Sequence, residues 1–249
     1  DYPEQPDPKF DERYKDMPMP RQLYAKMVST TDDRMGVVMA RLEKLGLRDN
    51  TIVIFMSDNG FSTEDYKIRG KNHTSGLPEG TNYGAHGGGG SAGKYRGHKG
   101  EFFEGGIRVP AVISYPSKLP KGEVRDQAAT AMDWLPTIAE LCGAELPKAR
   151  LDGYSLMPII RSATAESPYK VMHWQWQWQW AVREGDWKLL GNKDKAEFLA
   201  NIAEAEPERK NHLADKPDIV KRLQALHDEW LAQVQREYQQ TYPNRTGFF

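Results

Sequence analysis

Asp58 and Asn59 are the first side chains along the chain whose types and placement suggest chemistry. They follow residues 51–56, a short apolar run rich in β-branched side chains, which predicts a strand buried on both faces in a parallel sheet. In open α/β sheets, ligands bind beyond the carboxyl ends of the strands. A carboxylate and an amide oxygen placed there suit Ca²⁺ or Mg²⁺ better than a soft metal. An ordinary turn explains Asp-Asn-Gly equally well, so this stretch alone leaves both interpretations open.

Three basic side chains, Arg96, His98 and Lys99, lie close together shortly before the next predicted strand. A lysine ammonium is a compact cation that suits a tetrahedral oxyanion, which makes Lys99 a candidate for binding such a group. We favour His98 as its companion because the two residues are adjacent. Solvated loop charges are the alternative, and we favour that alternative for Arg96 and for the isolated histidines His73 and His86.

The elements that would position these residues indicate an α/β arrangement. Residues 21–45 carry apolar side chains at helical spacing, which predicts a long amphipathic helix ended by a glycine. This helix and the strand at residues 51–56 form half of a βαβ unit. A second strand is predicted at residues 111–115, and a helix is predicted over residues 133–142 with Asp133 as its cap.

The pattern changes after residue 162. Tryptophan and glutamine then alternate strictly, which predicts a half-buried antiparallel strand with every tryptophan on one face: Trp174, Trp176, Trp178 and Trp180. A turn, a returning strand at residues 187–190 and a long amphipathic helix follow. We therefore divide the chain into an α/β part at residues 1–162 and a small antiparallel-sheet and helix subdomain at residues 163–249. Stacking on sugar rings is an alternative role for the tryptophans, but packing under the helix explains them better.

Composition excludes several classes of protein. The chain has 249 residues, enough for one α/β domain with a smaller companion, and its net charge of −1 does not indicate a nucleic-acid partner. No apolar run approaches the ~20 residues that span a bilayer. The single cysteine, Cys142, allows neither a disulfide framework nor a cysteine zinc site, and its place at a helix end predicts a core residue. The polar, proline-rich first residues resemble a linker rather than a signal peptide.

The glycine-rich segment at residues 86–94 contains three matches to catalytic motifs. They are a lipase-type oxyanion loop at residues 86–89, a nucleophile elbow around Ser91 and most of a phosphate-binding loop at residues 88–94. The first two overlap, although they lie on separate loops in lipases, and no predicted strand leads into any of them. Tyr95 also stands where a phosphate-binding loop needs Ser or Thr. We therefore interpret the segment as a polar loop.

A further set of motifs resembles the sulfatase family. It runs in the family's order through nearly the whole chain: residues 57–60 (Ser-Asp-Asn-Gly), 97–100 (Gly-His-Lys-Gly), 104–110 (Glu-Gly-Gly-Ile-Arg-Val-Pro), 133–137, 151–156, 182–189 and the terminal helix with Trp230. The resemblance implies an alkaline-phosphatase-like α/β fold, in which helices flank a mostly parallel sheet. It also implies a small C-terminal α+β subdomain with an antiparallel sheet and a long terminal helix.

The resemblance implies roles for the candidate residues as well. Asp58 and Asn59 match the family residues that bind a divalent cation, usually calcium, with magnesium as an alternative. Lys99 matches the lysine that contacts the sulfate group, and His98 precedes it in the same motif. A dication and an ammonium together would neutralise the sulfate oxygens and the charge that develops as the S–O bond breaks. The implied activity is hydrolysis of an aryl or carbohydrate sulfate ester, in a periplasmic or secreted protein.

One departure from the family pattern concerns the nucleophile. Sulfatases attack with a formylglycine made from the first residue of a Cys/Ser-x-Pro-x-Arg motif, and this chain contains no such motif: Cys142 is followed by Gly-Ala-Glu. The strand expected before the first helix is also missing from the sequence. We therefore expect the C-terminal half of a sulfatase, inactive by itself, whose formylglycine lies in an N-terminal half. That half and a sulfated small molecule or glycan are the expected partners.

Two alternatives remain open. A phosphonate or phosphate monoester hydrolase of the same superfamily would use similar parts, and a comparison of sulfate with phosphate monoesters as substrates separates the two activities. A non-catalytic fragment that binds glycans through the tryptophan face is the other alternative. It predicts glycan binding that depends on Trp176 and not on Lys99.

Overall fold

The computed structural model describes residues 6–73, 76–84 and 88–245, with the backbone alone at residues 82–84. His86, one of the histidines considered above, lies outside the described residues. The chain forms two compact units. One comes from the described parts of residues 1–41, 56–110 and 173–249, and the other from residues 42–55 and 111–172. The division of the chain at residue 163 stays a prediction.

Helices and strands alternate irregularly along the chain. The helices are α1 (Asp11–Tyr14), α2 (Arg21–Lys44), α3 (Glu104–Ile107), α4 (Trp134–Cys142), α5 (Met157–Arg161) and α6 (Pro217–Thr241). The strands are β1 (Val53–Met56), β2 (Asp65–Lys67), β3 (Asn82–Gly84), β4 (Ala111–Ser114), β5 (Val171–Trp176), β6 (Gln179–Glu184), β7 (Trp187–Asn192) and β8 (Lys195–Asn201). None of the helices in the described chain is long and apolar enough to cross a membrane.

The predicted amphipathic helix is confirmed as α2, which runs over 24 residues. It ends as the sequence indicated, because Gly46 adopts a left-handed conformation with φ of +68° and the N–H of Leu47 donates to the carbonyl oxygen of Leu42 at 2.9 Å. None of its side chains is buried by the described residues, and Val37 and Val38 are exposed. The described part of the chain therefore covers the apolar stripe only in part, since Leu23, Met27, Met35 and Leu42 are half-buried.

Strand β1 confirms the short strand that precedes Asp58, but its surroundings differ from the prediction. β1 pairs with β4 in a two-stranded sheet. Phe55 has 44% of its surface exposed. The prediction of burial on both faces is therefore wrong for the described chain, because a strand in a two-stranded sheet lacks the neighbours that enclose a central strand.

The unit formed by residues 42–55 and 111–172 has its own core. That core contains Tyr115, Leu119, Leu141 and Met157, with partly buried isoleucines packed against them. α4 confirms the helix predicted over residues 133–142, and Gly143 ends it with φ of +66°. Cys142, predicted as a core residue, is exposed. It lies ~100° around the helix from buried Leu141, so the two side chains face different surroundings.

Asp133 stands at the start of α4 as predicted, but the prediction that it caps this helix is wrong. Its side chain makes no cap hydrogen bond to α4. The buried carboxylate instead accepts the N–H of Thr130 at 2.7 Å, the N–H of Tyr154 at 2.8 Å and the hydroxyl of Tyr169. Burial and this hydrogen bond to Asp133 raise the pKa of Tyr169. Asp133 thus links the segments around residues 130, 154 and 169 by hydrogen bonds, instead of capping the start of α4.

The C-terminal part of the chain forms a four-stranded sheet in the order β5-β6-β7-β8, with antiparallel β6–β7 and β7–β8 pairs. The single alternating strand predicted there is wrong, because the chain turns at Gln177, which has φ of +51°, and returns as β6. Trp180 is therefore buried, with 3% of its surface exposed, and it stacks on His227 of α6 with 4.6 Å between ring centroids. Trp176 and Trp178 are more than half exposed.

The two faces of this sheet have different partners. Val182 and Leu189 lie opposite each other on the face of Trp180, and this face packs against α6. Arg183 and Lys188 lie opposite each other on the second face. That second face is turned toward the loop at residues 96–104, because Phe198 contacts Phe103 there with 5.5 Å between ring centroids. The sheet therefore separates α6 from the loop that carries Lys99.

Candidate active site

Asp58 and Asn59 lie in a bend directly after β1. The Oγ of Ser57 donates to the carbonyl oxygen of Asn59 at 2.8 Å, and the N–H of Asn59 donates to Oδ1 of Asp58 at 3.0 Å. Asp58 is exposed and Asn59 is half-buried. The stretch is a turn that also presents a carboxylate to solvent, so the two interpretations of its sequence do not exclude each other.

Gly60 connects this bend to the loop that carries Lys99. Its N–H donates to the carbonyl oxygen of Gly106 at 2.8 Å. A Cβ at residue 60 would lie 1.9 Å from the carbonyl oxygen of Gly105, far closer than two such atoms can approach. Only glycine therefore allows the two backbones to pack at this distance.

We expect Gly60→Ala to lower the free energy of unfolding by about 1–3 kcal/mol, the usual cost of forcing extra volume into a packed region. The added methyl group avoids the Gly105 carbonyl only if one of the two backbones moves. Urea denaturation at neutral pH measures the change. Gly36→Ala is the matched control, since nothing lies within 4 Å of a Cβ at that exposed position of α2. An equal midpoint for both variants would contradict the close packing at Gly60.

Lys99 is held by its backbone and by its side chain against the segment that follows the bend. Its N–H donates to the carbonyl oxygen of Phe61 at 2.9 Å, and its Nζ lies 3.1 Å from Oε2 of Glu64. The hydrogen bond from Lys99 lowers the pKa of the Glu64 carboxyl. The structure thus brings together the two segments predicted to form the site. It also places Glu64, which was not predicted, beside the ammonium.

His98 lies next to Lys99 with a defined ring orientation. Its Nδ1 is 2.9 Å from the carbonyl oxygen of Lys99, which can only accept, so Nδ1 carries the proton in the neutral ring. Nε2 is then the acceptor, and it lies 3.8 Å from Oε2 of Glu101. The ring contacts Phe61 with 6.1 Å between centroids. His98 is thus packed between the two loops, and Nε2 is the nitrogen able to exchange a proton.

Two other basic residues considered from the sequence lie elsewhere. Arg96 is exposed, as expected of a solvated charge, and its guanidinium lies 3.9 Å from the centroid of the Phe103 ring. It therefore packs on the loop's own aromatic side chain. His73 lines a shallow cavity with Tyr66 and Arg69.

Two serines match parts of nucleophile motifs. Ser91 lies within residues 88–95, which contain no strand and no helix, whereas a nucleophile elbow joins a strand to a helix. Ser114 begins Ser-Tyr-Pro-Ser-Lys, a partial match to the formylglycine motif that we did not predict, but Lys118 stands where that motif has arginine. The Oγ of Ser114 accepts a hydrogen bond from Arg48. Neither serine is therefore placed as a nucleophile.

Asp58 and Asn59 are the metal ligands predicted from the sequence. Both supply oxygen donors, which Ca²⁺ and Mg²⁺ prefer. The described residues contain no group of three or more His, Cys, Asp or Glu side chains able to hold a metal ion, either at this bend or elsewhere. Because Ca²⁺ takes about six to eight oxygen ligands, the two residues fit part of a calcium site and not a whole one.

The structure also shows buried charges that sequence reasoning missed. Lys188 is buried between Glu104 and Glu208 on the sheet face turned toward residues 96–104. A lysine within the run Trp-Lys-Leu-Leu was the available signal, because a lysine at a core position needs a partner. Glu64 offered no comparable signal, since it lies in a polar loop rich in charged residues.

Comparison with known families shows what kind of protein carries this site. A family model described as Sulfatase matches residues 1–144, which is more than half of the chain. The chain belongs to the sulfatase family. A second family model, described as N-sulphoglucosamine sulphohydrolase, C-terminal, matches residues 96–237 of this sulfatase chain. The resemblance inferred from the sequence motifs is confirmed.

Curated sulfatases are similar to part of the chain. Steryl-sulfatase of Mus musculus is 37% identical over 162 residues, which cover 64% of this chain and 24% of that protein. Arylsulfatase A of Homo sapiens is 33% identical over 168 residues, which cover 68% of this chain and 29% of that protein. This sulfatase chain therefore spans about a quarter of the length of the curated relatives it matches.

Solved structures are similar to this sulfatase over most of its length. The crystal structure of Ps i-CgsB in complex with k-i-k-neocarrahexaose has a TM-score of 0.72 and 25% identity, and the match covers 92% of this chain and 47% of that one. The phosphonate monoester hydrolase SpPMH from Silicibacter pomeroyi has a TM-score of 0.57 and 19% identity, over 87% of this chain and 41% of its own. That second likeness shows a shared fold alone. The expected alkaline-phosphatase-like fold is confirmed.

Proposed function

We propose that this chain forms the metal- and sulfate-binding part of a sulfuric ester hydrolase. The observation that carries the proposal is the attachment of the loop at residues 96–106 to residues 57–61, the bend after β1 and the residue that follows it. Two backbone hydrogen bonds join them, one from Gly60 to Gly106 and one from Lys99 to Phe61. A pair of oxygen donors and a lysine are thereby held on adjoining backbones, as binding of one sulfate group between a cation and an ammonium requires.

Each side chain in this arrangement has its own task. Asp58 and Asn59 would hold a divalent cation, with Ca²⁺ favoured, and a bound cation supplies Lewis-acid polarisation of the sulfate oxygens. Lys99 donates hydrogen bonds to a sulfate oxygen, and its ion pair with Glu64 holds the ammonium beside the segment that follows the bend. His98, whose Nδ1 is held by the carbonyl oxygen of Lys99, exchanges a proton beside the ester through Nε2.

The remaining parts of the reaction centre belong, in this proposal, to an N-terminal half of the same protein. This chain spans less than half of each similar solved structure described above. We infer that the N-terminal half brings the formylglycine nucleophile and further metal ligands. The two halves together are called the complete enzyme below.

A sulfated saccharide is the favoured class of substrate. Ps i-CgsB, at 25% identity, was solved with k-i-k-neocarrahexaose, and a further structure with the same fold was solved with its substrate D-glucosamine-2-N,6-O-disulfate. A phosphonate monoester is the second candidate, because a phosphonate monoester hydrolase shares the fold. The glycan-binding alternative now rests on Trp176 and Trp178, since Trp180 is buried.

Substrate preference of the complete enzyme tests this function. We expect a higher kcat/KM for an aryl sulfate and a sugar sulfate than for phosphonate or phosphate monoesters with the same leaving group. We expect no turnover by this chain alone, because two oxygen ligands and a lysine provide neither a nucleophile nor a whole calcium site. A preference for the phosphonate would favour the second candidate. Sulfate hydrolysis by this chain alone, at a rate close to that of the complete enzyme, would refute the proposed division of the site.

A further inference from the structure

Lys188 is completely buried on the sheet face turned toward residues 96–104, with 0% of its surface exposed. Its Nζ lies 2.9 Å from Oε1 of Glu104 and 3.1 Å from Oε1 of Glu208. Both carboxylates are buried as well. Because an unpaired charge in this environment is strongly unfavourable, each member of the group constrains the position of the other two.

Glu208 binds the backbone of α3 in addition to Lys188. Both of its carboxylate oxygens accept the N–H of Glu104, at 3.0 and 2.8 Å. Glu208 itself adopts φ of +61°, a region that residues other than glycine rarely occupy. The backbone therefore takes an unfavourable conformation at the residue whose carboxylate reaches the start of α3.

α3 in turn sets the position of the loop that carries the site. The N–H of Gly105 donates to the carbonyl oxygen of Arg96 at 2.6 Å. A Cβ at Gly106 would lie 2.5 Å from the carbonyl oxygen of His98. The carbonyl of Gly106 is also the group that accepts the N–H of Gly60. α3 thus packs directly on the backbone of both segments of the candidate site.

The charges around Lys188 make Glu104 its principal partner. Arg108 and Arg183 approach Oε2 of Glu104 at 3.5 and 4.0 Å. Burial works against the charged form of Glu104, but Lys188 and the two arginines outweigh it and lower the pKa of this carboxyl. At Glu208, burial is the dominant influence and raises the pKa. Glu104 is therefore the stable anion of the group.

We propose that Lys188 is a positioning residue for sulfate binding, acting through Glu104 and α3 on the loop that carries Lys99 and His98. The charge of Lys188 fixes the place of Glu104 on the sheet, and Glu104 is the first residue of α3. The role assigned to Lys188 involves no contact with substrate or metal. The inference rests on the proposed function, because the position of the loop affects catalysis only if the loop binds the ester.

Amide hydrogen exchange in the complete enzyme tests this positioning without using activity. We expect Lys188→Met combined with Glu208→Gln to speed exchange at the amides of Gly60 and Lys99 by ~10-fold or more, because the loop opens more often. Exchange in α6 is expected to stay the same, since α6 packs on the opposite face of the sheet. Lys195→Met, at an exposed lysine of β8, is the matched control. Unchanged exchange at Gly60 and Lys99, or an equal rise in α6, would overturn the positioning role.

Kinetics of Lys188→Met separate positioning from a general loss of stability. We expect kcat for a sulfate ester to fall about 10- to 100-fold, the usual loss when the support of a site residue is removed. KM is expected to change less, because a displaced Lys99 mainly loses contacts to the transition state. Lys188→Arg keeps the charge and is expected to recover part of kcat.

The outcomes distinguish this inference from the proposed function. A folded Lys188→Met enzyme with unchanged kcat would refute the role of Lys188 and leave the sulfatase function standing. An unaltered complete enzyme without sulfatase activity would refute the proposed function, while the exchange result would still report whether the pair of Lys188 and Glu208 holds the loop.

Discussion

Asp58→Ala is expected to lower kcat/KM of the complete enzyme for sulfate esters by about a thousand-fold. A metal ion in an active site contributes several kcal/mol to stabilisation of the transition state, and each ~1.4 kcal/mol corresponds to a factor of ten in rate. Asp58 supplies the negative charge of the predicted ligand pair, whereas Asn59 supplies a neutral oxygen. If Asp58 binds the cation as proposed, the alanine variant loses both affinity for the cation and the correct placement of the cation beside Lys99.

Metal titration after treatment with a chelator measures this effect. We expect Asp58→Ala to need far more Ca²⁺ than the unaltered enzyme, and excess Ca²⁺ is expected to recover part of the activity. Asp58→Asn keeps an oxygen donor and should have an intermediate effect. Asp32→Ala, at an exposed position of α2, is the matched control. If Asp58→Ala had the same Ca²⁺ dependence as the control, Asp58 would not be a metal ligand.

Acid is expected to destabilise the layer between the sheet and α6 through two histidines, the buried His227 and the half-buried His173. His227 has 2% of its surface exposed and stacks on Trp180, and His173 stacks on Trp230 with 4.9 Å between ring centroids. Three ring nitrogens have no hydrogen-bond partner within the described part of the chain: Nδ1 and Nε2 of His227 and Nδ1 of His173. Burial lowers the pKa of both histidines, and at His173 the nearby His227 adds to this effect; the pKa of each is about 4.

The direction of the effect follows from the protons bound by each state. His227 has a pKa of about 4 in the folded chain and an ordinary value of 6.5 when unfolded. Between these pH values the unfolded chain binds more protons. The contribution to stability is therefore complete above pH 6.5 and is lost as the pH falls toward 4. For His227 the loss by pH 4 is about 3 kcal/mol of unfolding free energy.

Urea denaturation at several pH values between 7 and 4 measures this loss. His227→Leu cannot bind the proton, so its stability is expected to fall by ~3 kcal/mol less over this range than that of the unaltered protein. At neutral pH the variant is expected to have a lower free energy of unfolding than the unaltered protein, because it loses the stacking on Trp180. The test therefore compares how steeply the free energy of unfolding changes with pH. His73→Gln, at a half-exposed position, is the control. Parallel curves for His227→Leu and the unaltered protein would rule out His227 as the source of acid sensitivity.

Local signals in the sequence were sufficient for elements whose ends are marked within a few residues. α2, α4 and α6 follow from helical periodicity, and the glycines after α2 and α4 adopt the left-handed conformation that ends a helix. The strand before Asp58 follows from its apolar run. Lys99 was predicted as a site residue because it stands in an ordered motif, and the structure places its backbone against Phe61, directly after the bend that follows β1.

The features that the sequence did not indicate depend on residues far apart or on atypical turns. The turn at Gln177 lacks the glycine or asparagine that usually marks a hairpin, so the alternation of tryptophan and glutamine continues through it. The exposure of Phe55 depends on which strands surround β1, not on β1 itself. In the sequence, Lys188 resembles an interruption of an apolar strand. Its partner Glu104 lies 84 residues away, so no local pattern indicates that the two side chains form an ion pair.

The ion group around Lys188 also imposes an order of assembly on the chain. Glu104 and Glu208 are 104 residues apart, and contacts over such distances cost more chain entropy than the local contacts of a helix or hairpin. A protein emerges from the ribosome with its N-terminal end first. The loop with Lys99 is therefore made early, yet the acceptor for the Glu104 amide appears only after the C-terminal sheet has been synthesised. A premature stop before residue 208 would leave the loop complete in sequence and unsupported in structure.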